Sequence, residues 1–305
     1  MTTILASGSS TSAQTALLAL LVVCYWVPYH LRSRTLAAQG RPVPGWRRAC
    51  FVAGLIVCAV ALSPPFGHGS QELLWVHMIE HLLIGDVGAL LLVLGLTGPL
   101  LQPLLRIHWV QRLRVLFHPV VAVAVWWIDL YVWHLPVFYE AALRHDAIHA
   151  LEHACFLAAG IVMWMALLGP LPKPAWFGNF ARLGYIVTVR LIGTLLGNVF
   201  IWSGTVFYPF YIYGDAKHGL RPLTDQGIAG AVMMIEESMI TLGLFAWLFL
   251  KAARDGEERQ ELIEFAAAHG VTLSEERAAR AVAAGQGAEL RRRLERGGPQ
   301  RVTVA

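Results

Sequence analysis

The sequence predicts an all-α, polytopic membrane protein of about seven transmembrane helices. Its 305 residues are 56% hydrophobic and 14% charged, whereas soluble domains carry about 25% charged residues. The charged residues fall in short clusters and in a tail after Lys251, and long apolar runs separate these clusters. A run of about 18 apolar residues crosses roughly 30 Å of hydrocarbon as a helix. The short alternating segments of a membrane barrel are absent from the sequence.

Seven apolar runs are long enough to span a bilayer. They lie at about 13–31, 47–63, 73–95, 117–134, 147–169, 184–205 and 227–250. The first run has no basic residue before it and Arg32 and Arg34 after it, which is the reverse of a cleaved signal peptide. Basic residues also predominate after the third, fifth and seventh runs, and basic residues concentrate in cytoplasmic loops. We therefore expect residues 1–250 to form a transmembrane domain whose N-terminus lies outside.

The remaining residues, 251–305, are expected to form a short cytoplasmic tail. The segments Glu257–His269 and Leu273–Ala284 have helical composition, and each is followed by a glycine, Gly270 or Gly285. We expect a partly helical tail with a disordered Gly-Pro end. The net charge of +4 is modest, and no basic stripe is interleaved with aromatic residues. We therefore expect no nucleic acid partner. The expected partner around the spans is the lipid bilayer.

Two segments, His77–His81 and His149–His153, share the pattern H-x-x-E-H. Residues four apart lie on one face of a helix, roughly 6 Å apart, so each segment presents two imidazoles and a carboxylate over a narrow arc. The predicted topology brings both segments, with the ends of two other spans, to one depth near the outer face. The histidines at this depth are His77, His81, His134, His149 and His153. The carboxylates expected around them are Glu80, Glu152 and Asp225.

This group of histidines predicts a metal or haem site. Imidazole is the commonest metal ligand and suits copper, zinc and iron. Ionisable groups inside a membrane are costly and usually face the bundle interior or a cavity. The pattern H-x-x-E-H also marks one class of zinc protease. Such proteases use one copy of the motif with a distant acidic ligand, whereas this chain carries two equivalent copies.

Other ionisable residues lie deeper in the predicted spans. Asp86 is near the middle of the third span, Arg190 is in the sixth, and Glu236 and Glu237 are in the seventh. Such groups tend to pair within a bundle, so we expect an ion pair between Arg190 and one of the two glutamates. A proton or ion path is the alternative. The neighbouring Met233–Met234 pair is expected to serve packing, although thioethers also suit Cu(I).

These segments together resemble the CtaG family of cytochrome c oxidase assembly proteins over roughly residues 13–250. The motifs that carry the resemblance are His77-Met78-x-x-His81-Leu82-Leu83, Gly95-x-x-Gly98-Pro99-Leu100, Trp133-His134-Leu135-Pro136 with Tyr139 and Ala142, His149-x-x-Glu152-His153 with Gly160 and Trp164, and Asp225-Gln226 with Gly230 and Met233. The resemblance implies a multi-pass protein of the bacterial plasma membrane that is needed to make an active haem-copper oxidase. It further implies copper delivery on the extracytoplasmic side. The chain departs from the family at Met234, where members often carry tryptophan.

The leading hypothesis is a non-enzymatic assembly factor that holds copper among the five histidines and passes it to a cytochrome c oxidase subunit. Three carboxylates would lie around the ligands of that site or receive the incoming metal: Glu80, Glu152 and Asp225. One alternative is a b-type haem electron carrier in which His81 and His153 ligate the iron. A second alternative is a membrane hydrolase that uses a metal-bound water, with one of the two motif glutamates as general base.

Overall fold

A computed structural model describes residues 22–283 and 285–297, together with Ala19. Every regular element of these residues is helical. Of the predicted first span, 13–31, the structure describes Ala19 and the residues from Val22 onward. Its described part begins with a π-helical segment, Val22–Trp26, that leads into the first α-helix. The chain divides into two compact units, Met1–Thr241 and Leu242–Ala305.

The helices of the larger unit follow one another through short connections. They are α1 Val27–Ala38, α2 Gly45–Ala61, α3 Pro64–Glu72, α4 Leu74–Gly95, α5 Gly98–Leu101, α6 His108–Arg112, α7 Pro119–Trp133, α8 Pro136–Arg144, α9 Asp146–Leu168, α10 Asn179–Trp202, α11 Ile212–Lys217 and α12 Pro222–Ala268. Proline occupies the first position of α3, α7, α8 and α12. Proline suits that position because its missing N–H has no partner there in any case.

Four of these helices, α4, α9, α10 and α12, are long and apolar enough to cross a membrane. Two bent pairs raise the number to six if each pair is one span: α2 with α3, bent by 51°, and α6 to Phe117 with α7, bent by 80°. Both bends fall before a proline, which disfavours helical geometry in the preceding residue. Ser63 and His118 are accordingly extended. The all-helical class of a multi-pass membrane protein is confirmed, while the count of seven and the orientation of the termini stay predictions.

Helix α4 packs between α2 and α9, and two glycines set its approach to α9. A Cβ atom added at Gly160 of α9 would overlap the carbonyl oxygen of Gly85 of α4. Small residues of this kind let membrane helices come close together. Gly85 lies one turn after His81, and Gly160 lies two turns after His153. The close crossing therefore brings the two H-x-x-E-H segments against each other.

A π-helical segment, Leu83–Gly88, interrupts α4 directly after its second histidine. Such widened turns leave main-chain carbonyls without their usual helical partners and occur often at functional sites. Here the indole Nε1 of Trp164 donates to the carbonyl oxygen of Asp86 at 3.1 Å. The interruption is therefore held by a hydrogen bond from the neighbouring helix α9.

The smaller unit contains the end of α12 and two further helices, α13 Glu275–Ala283 and α14 Gly287–Gly297. Their apolar faces share a core made of Leu262, Ala266, Val271, Val282, Leu290 and Leu294. Gly270 has a φ of 70°, which glycine adopts without strain, and it closes the turn after α12. The Gly-Pro end that we expect to be disordered lies outside the described residues.

Candidate metal site

The first H-x-x-E-H segment lies in the opening turns of α4, and a residue far along the chain fixes where that helix begins. Leu73 precedes α4 in an extended conformation and supplies no side-chain cap. The carboxylate of Asp225 takes that role, accepting hydrogen bonds from the backbone N–H of Leu74 at 2.7 Å and of Trp75 at 3.1 Å. A carboxylate satisfies free N–H groups at a helix start and favours the positive end of the helix dipole. Both oxygens of Asp225 thus hold α4 in position.

Four histidines from α4 and α9 form one compact group. His77, His81, His149 and His153 each offer a ring nitrogen, and these four atoms lie within 4.8 Å of one another. The ring centroids of His77 and His149 are 5.2 Å apart, and those of His81 and His153 are 5.5 Å apart. Three of the rings are buried and His149 is half-buried. The pairing across the two helices is the one that the repeated motif predicts.

The two motif glutamates cross over to the partner helix. Oε2 of Glu152 lies 3.8 Å from Nε2 of His77 and 3.6 Å from Nε2 of His81. Oε1 of Glu80 lies 3.6 Å from Nε2 of His153. Both glutamates are fully buried. These separations exceed the usual hydrogen-bond length, so each carboxylate faces imidazoles at ion-pair distance without bonding to them.

Buried polar atoms without a hydrogen-bond partner concentrate at this group, among the residues that the structure describes. They are both carboxylate oxygens of Glu80 and of Glu152, Nδ1 of His81, and Nε2 of His134, His149 and His153. A buried polar group without a partner costs about 1–3 kcal/mol, and a charged group costs more. Because these lone pairs share one small volume, the donor set fits a bound cation.

His134 completes the set of five predicted histidines and lies beside the group of four. It caps the end of α7, and its Nδ1 hydrogen-bonds the carbonyl oxygen of Leu130 at 2.7 Å. That bond requires a proton on Nδ1, so Nε2 keeps its lone pair. The ring centroid of His134 is 6.5 Å from that of His81. The structure thus gathers all five histidines, with four in one cluster and His134 at its edge.

A family model described as cytochrome c oxidase caa3 assembly factor (Caa3_CtaG) matches residues 24–255. The chain belongs to this family. No curated protein and no solved structure matches the sequence of this Caa3_CtaG member. Membership means that the chain is an assembly factor that associates with a cytochrome c oxidase, as the sequence resemblance predicts.

Tyrosines on α8 and before α11 support the histidines of this Caa3_CtaG protein. The hydroxyl of Tyr211 lies 3.1 Å from the carbonyl oxygen of Ser70 and 2.9 Å from Nδ1 of His77. Because the hydroxyl donates its proton to the carbonyl, Nδ1 of His77 donates to the hydroxyl oxygen. Nε2 of His77 then carries the lone pair that a metal needs. The hydroxyl of Tyr139 lies 3.4 Å from that of Tyr211.

Tyr211 and Ser70 are supporting residues that the sequence did not predict. Both lie in connections between the predicted spans, where helical periodicity gives no information about neighbours. The only available signal was two tyrosines three residues apart, Tyr208 and Tyr211, between the sixth and seventh spans. The hydroxyl of Tyr208 donates to the main-chain carbonyl of His134 at 2.7 Å. One short segment therefore contacts histidines from α4 and α7.

A second carboxyl group, Asp215 of α11, lies close to the Asp225 cap. Asp215 is buried, and its Oδ1 has no hydrogen-bond partner among the described residues. Burial raises the pKa of Asp215 to about 7, and the neighbouring Asp225 carboxyl adds to this shift. The pair therefore holds one proton below about pH 7, which reduces the repulsion between the two groups.

The deeper charged residues of this family member form a separate cluster below the histidines. The Arg190 guanidinium hydrogen-bonds both carboxylate oxygens of Asp86, and its Nη2–Oδ1 distance is 3.1 Å. The Glu236 carboxylate is more distant, at 3.9 Å from Nη1. The carboxylate of Glu237 instead accepts a hydrogen bond from Thr194 at 2.9 Å. The predicted ion pair of Arg190 with a glutamate of α12 is therefore present at Glu236, at the limit of ion-pair distance, while the sequence did not predict Asp86 as the main partner.

A small cavity of about 20 Å³ lies between the histidines and this deeper cluster. Its lining includes His81 and His134 on one side and Asp86 and Glu237 on the other. This volume is enough for about one water molecule, since a water needs at least about 10–15 Å³. The cavity therefore separates the histidine group from the ion pair by no more than a narrow gap.

Proposed function

We propose that this assembly factor binds copper at the histidine group and passes it to the cytochrome c oxidase that it helps to assemble. The observation that carries the proposal is the group of four ring nitrogens within 4.8 Å of one another, contributed by two helices. Copper is cargo in this proposal, and the protein performs no catalytic step on it. The non-catalytic role follows the family to which the chain belongs.

The charge of the site supports a cation. Two buried carboxylates, Glu80 and Glu152, face neutral or protonated imidazoles with no other cationic side chain among the contacts described for them. Uncompensated buried charges are strongly unfavourable. A bound metal ion supplies the missing positive charge, and the lone pairs on the ring nitrogens supply its ligands.

The chemistry of the lining supports copper among the metals that imidazole binds. Met78 and Met233 line the same cavity as His81 and His134. Thioethers and imidazoles together favour Cu(I) over hard cations. A delivery protein must also release its metal, and His134 lies at the edge of the group with a free Nε2. We assign His134 as the ligand through which copper is exchanged.

The orientation of the chain belongs to the same proposal. The H-x-x-E-H segments lie at the ends of α4 and α9 that follow connections with few basic residues. By the positive-inside rule these ends face the extracytoplasmic side of a bacterial plasma membrane. A metal taken up or released at this end would be accessible from outside the cytoplasm, where we place the oxidase subunit that receives it.

The size of the cavity favours a metal ion over haem. A bis-histidine haem needs a flat porphyrin between its two ligands, whereas the cavity beside His81 has a volume of about 20 Å³. The nearest cross-helix pair, His77 and His149, has ring centroids only 5.2 Å apart. A single ion fits this space without separating α4 from α9.

Copper content tests the proposal directly. Purified protein loaded with Cu(I) is expected to retain near-stoichiometric copper after desalting, measured by elemental analysis. The double variant His77→Ala/His153→Ala removes a ligand from each helix, and we expect it to lose at least about 90% of the metal. The matched control His68→Ala/His145→Ala removes two exposed histidines outside the group and should retain copper.

Each alternative has its own signature in this experiment. A Soret band in the purified protein would indicate that the site binds haem and not copper. Bound zinc, together with a hydrolase activity that is lost in Glu80→Gln, would support the hydrolase alternative. Equal copper in wild type and in the His77→Ala/His153→Ala variant would refute the ligand assignment.

The hydroxyl of Tyr211 gives a second, finer prediction. Tyr211→Phe removes the acceptor for Nδ1–H of His77 while leaving the ring in place. Loss of such a supporting hydrogen bond typically weakens metal affinity by about 10–100-fold. A competition titration against a Cu(I) chelator measures this change. Tyr213→Phe, at a side chain that is 83% exposed, is the control and should leave the affinity unchanged. An unaltered affinity in Tyr211→Phe would mean that this hydroxyl does not orient His77.

A further inference from the structure

We propose that the α1–α2 hairpin binds an anionic phospholipid in a cavity between its two helices. The cavity has a volume of about 650 Å³, within the range of small-molecule sites. Its lining comes from Trp26, from α1, from the connection after α1, and from α2 as far as Ile56. None of the residues assigned to the histidine site contributes to it.

The polar end of the cavity is defined by two arginines without protein partners. Four arginines of the hairpin divide into two kinds. Arg32 and Arg47 donate to main-chain carbonyl oxygens near the C-terminal end of α4, at distances of 2.7–3.3 Å. Arg34 and Arg48 line the cavity and are exposed. Their guanidinium groups have no hydrogen bond or ion pair within the described part of the chain. Their guanidinium groups are therefore available to a ligand.

The charge around this cavity favours an anion. The first acidic residue of the whole sequence is Glu72, so neither α1 nor α2 carries a carboxylate. A second basic cavity, lined by Arg41 and Arg106, lies near the same end of α1 and α2. Guanidinium groups bind phosphate oxygens through paired N–H donors. Arg34 and Arg48 thus supply what a phosphate headgroup needs.

The opposite end of the cavity is apolar and identifies the ligand as a lipid. Trp26, Val52 and Ile56 line this part, and Ile56 is 56% exposed. Trp46 lies beside the arginines and is 55% exposed, as is usual for tryptophan at the level of lipid headgroups. A soluble phosphate would use only the arginines. A phospholipid fills both ends, with its headgroup on the arginines and an acyl chain along the apolar wall.

This site lies at the end of the bundle opposite to the histidines. Arg47 of α2 bonds the carbonyl oxygen of Leu94, thirteen residues after His81 in α4. At 1.5 Å per residue, this separation is roughly 20 Å along the helix. Basic pockets between helices at the cytoplasmic side are the kind that bind anionic headgroups. Loss of lipid at the hairpin should therefore leave copper binding at the histidines intact.

Native mass spectrometry of the full chain, released from detergent micelles, tests the proposal with phosphatidylglycerol and phosphatidylcholine as probes. We expect one phosphatidylglycerol to remain bound at concentrations where phosphatidylcholine does not. Arg34→Gln/Arg48→Gln should weaken this binding about 30-fold, which corresponds to about 1 kcal/mol for each arginine. Arg112→Gln/Arg114→Gln removes the same charge from an exposed helical segment away from the cavity and should have no effect.

A second variant separates a lipid from free phosphate. Ile56→Trp narrows the apolar end and keeps both arginines, so it should weaken phosphatidylglycerol binding. Displacement of the lipid by millimolar inorganic phosphate, with no effect of Ile56→Trp, would show that the cavity is a phosphate site and would overturn the proposal. Equal binding of both lipids, or equal losses in the two arginine double variants, would also overturn it. Copper content measured on the same samples keeps the test independent of the histidine site.

Discussion

Gly160→Ala is expected to separate α4 from α9 and to abolish metal binding with a single added methyl group. The new Cβ would overlap the carbonyl oxygen of Gly85, which belongs to the main chain and has no rotamer through which to retreat. Overpacking of a well-packed interface costs about 1–3 kcal/mol, and a main-chain overlap lies at the upper end. The four histidines lie about one to three turns from this crossing, so a shift of either helix breaks the four-ligand group. The measurements are the Tm in detergent and the bound copper per chain.

The control for Gly160→Ala is the same substitution at Gly184 of α10. An added Cβ at Gly184 meets nothing within 4 Å. Alanine in an open helical position is favoured over glycine by roughly 0.5–1 kcal/mol, so Gly184→Ala should keep or slightly raise the Tm. If Gly160→Ala kept both its Tm and its copper, the close crossing of α4 and α9 would not be what assembles the site.

The sequence predicts the individual helices and the pairing of the two motifs well, because both depend on local pattern. The expected spans 73–95 and 147–169 correspond to α4 and α9, Leu74–Gly95 and Asp146–Leu168. The repeat of H-x-x-E-H places like residues at like depths, so four of the five predicted histidines share one cluster. Hydropathy and helical spacing carry this information within each segment.

The relations between helices are the part that the sequence does not predict. The sequence predicts Asp225 around the site, but it does not predict that this carboxylate caps the start of α4 across 151 positions of sequence. Tyr211 contacts His77 from a connection that has no periodicity. Both contacts depend on how helices rotate and where they cross, which single-segment patterns leave open. The role of each carboxylate could therefore be assigned only after the helices were placed.

The small cavity lies between the histidine group and the buried ion pair, and neither motif indicates that these two groups are close together. His81 lies on its upper wall, and Asp86, one turn and a half further along α4, lies on its lower wall. The π-helical segment that contains Asp86 turns this carboxylate toward Arg190 of α10. The ion pair and the histidines therefore share one short stretch of α4. By holding Asp86, Arg190 helps to fix the position of this stretch.

Arg190→Met is expected to destabilise the protein by about 3–5 kcal/mol, because it removes the only cationic partner described for a buried carboxylate. Asp86 would lose its cationic partner inside the bundle, with Glu236 close by. The guanidinium also lies over the ring of Trp164, at 5.3 Å from its centroid, and that contact would be lost as well. The Tm of the purified protein measures the effect, and copper content measured in parallel shows whether α4 has shifted.

Two further variants separate the charge of Arg190 from its size. Arg182→Met makes the same substitution on the same helix, at a side chain with no ion pair within the described residues, and should change the Tm little. Arg190→Met/Asp86→Leu removes both charges together. Replacing a buried ion pair with apolar residues of similar volume is often neutral, so this double variant should recover most of the lost stability. If the double variant were as unstable as Arg190→Met alone, packing of the guanidinium, and not its charge, would be what supports α4.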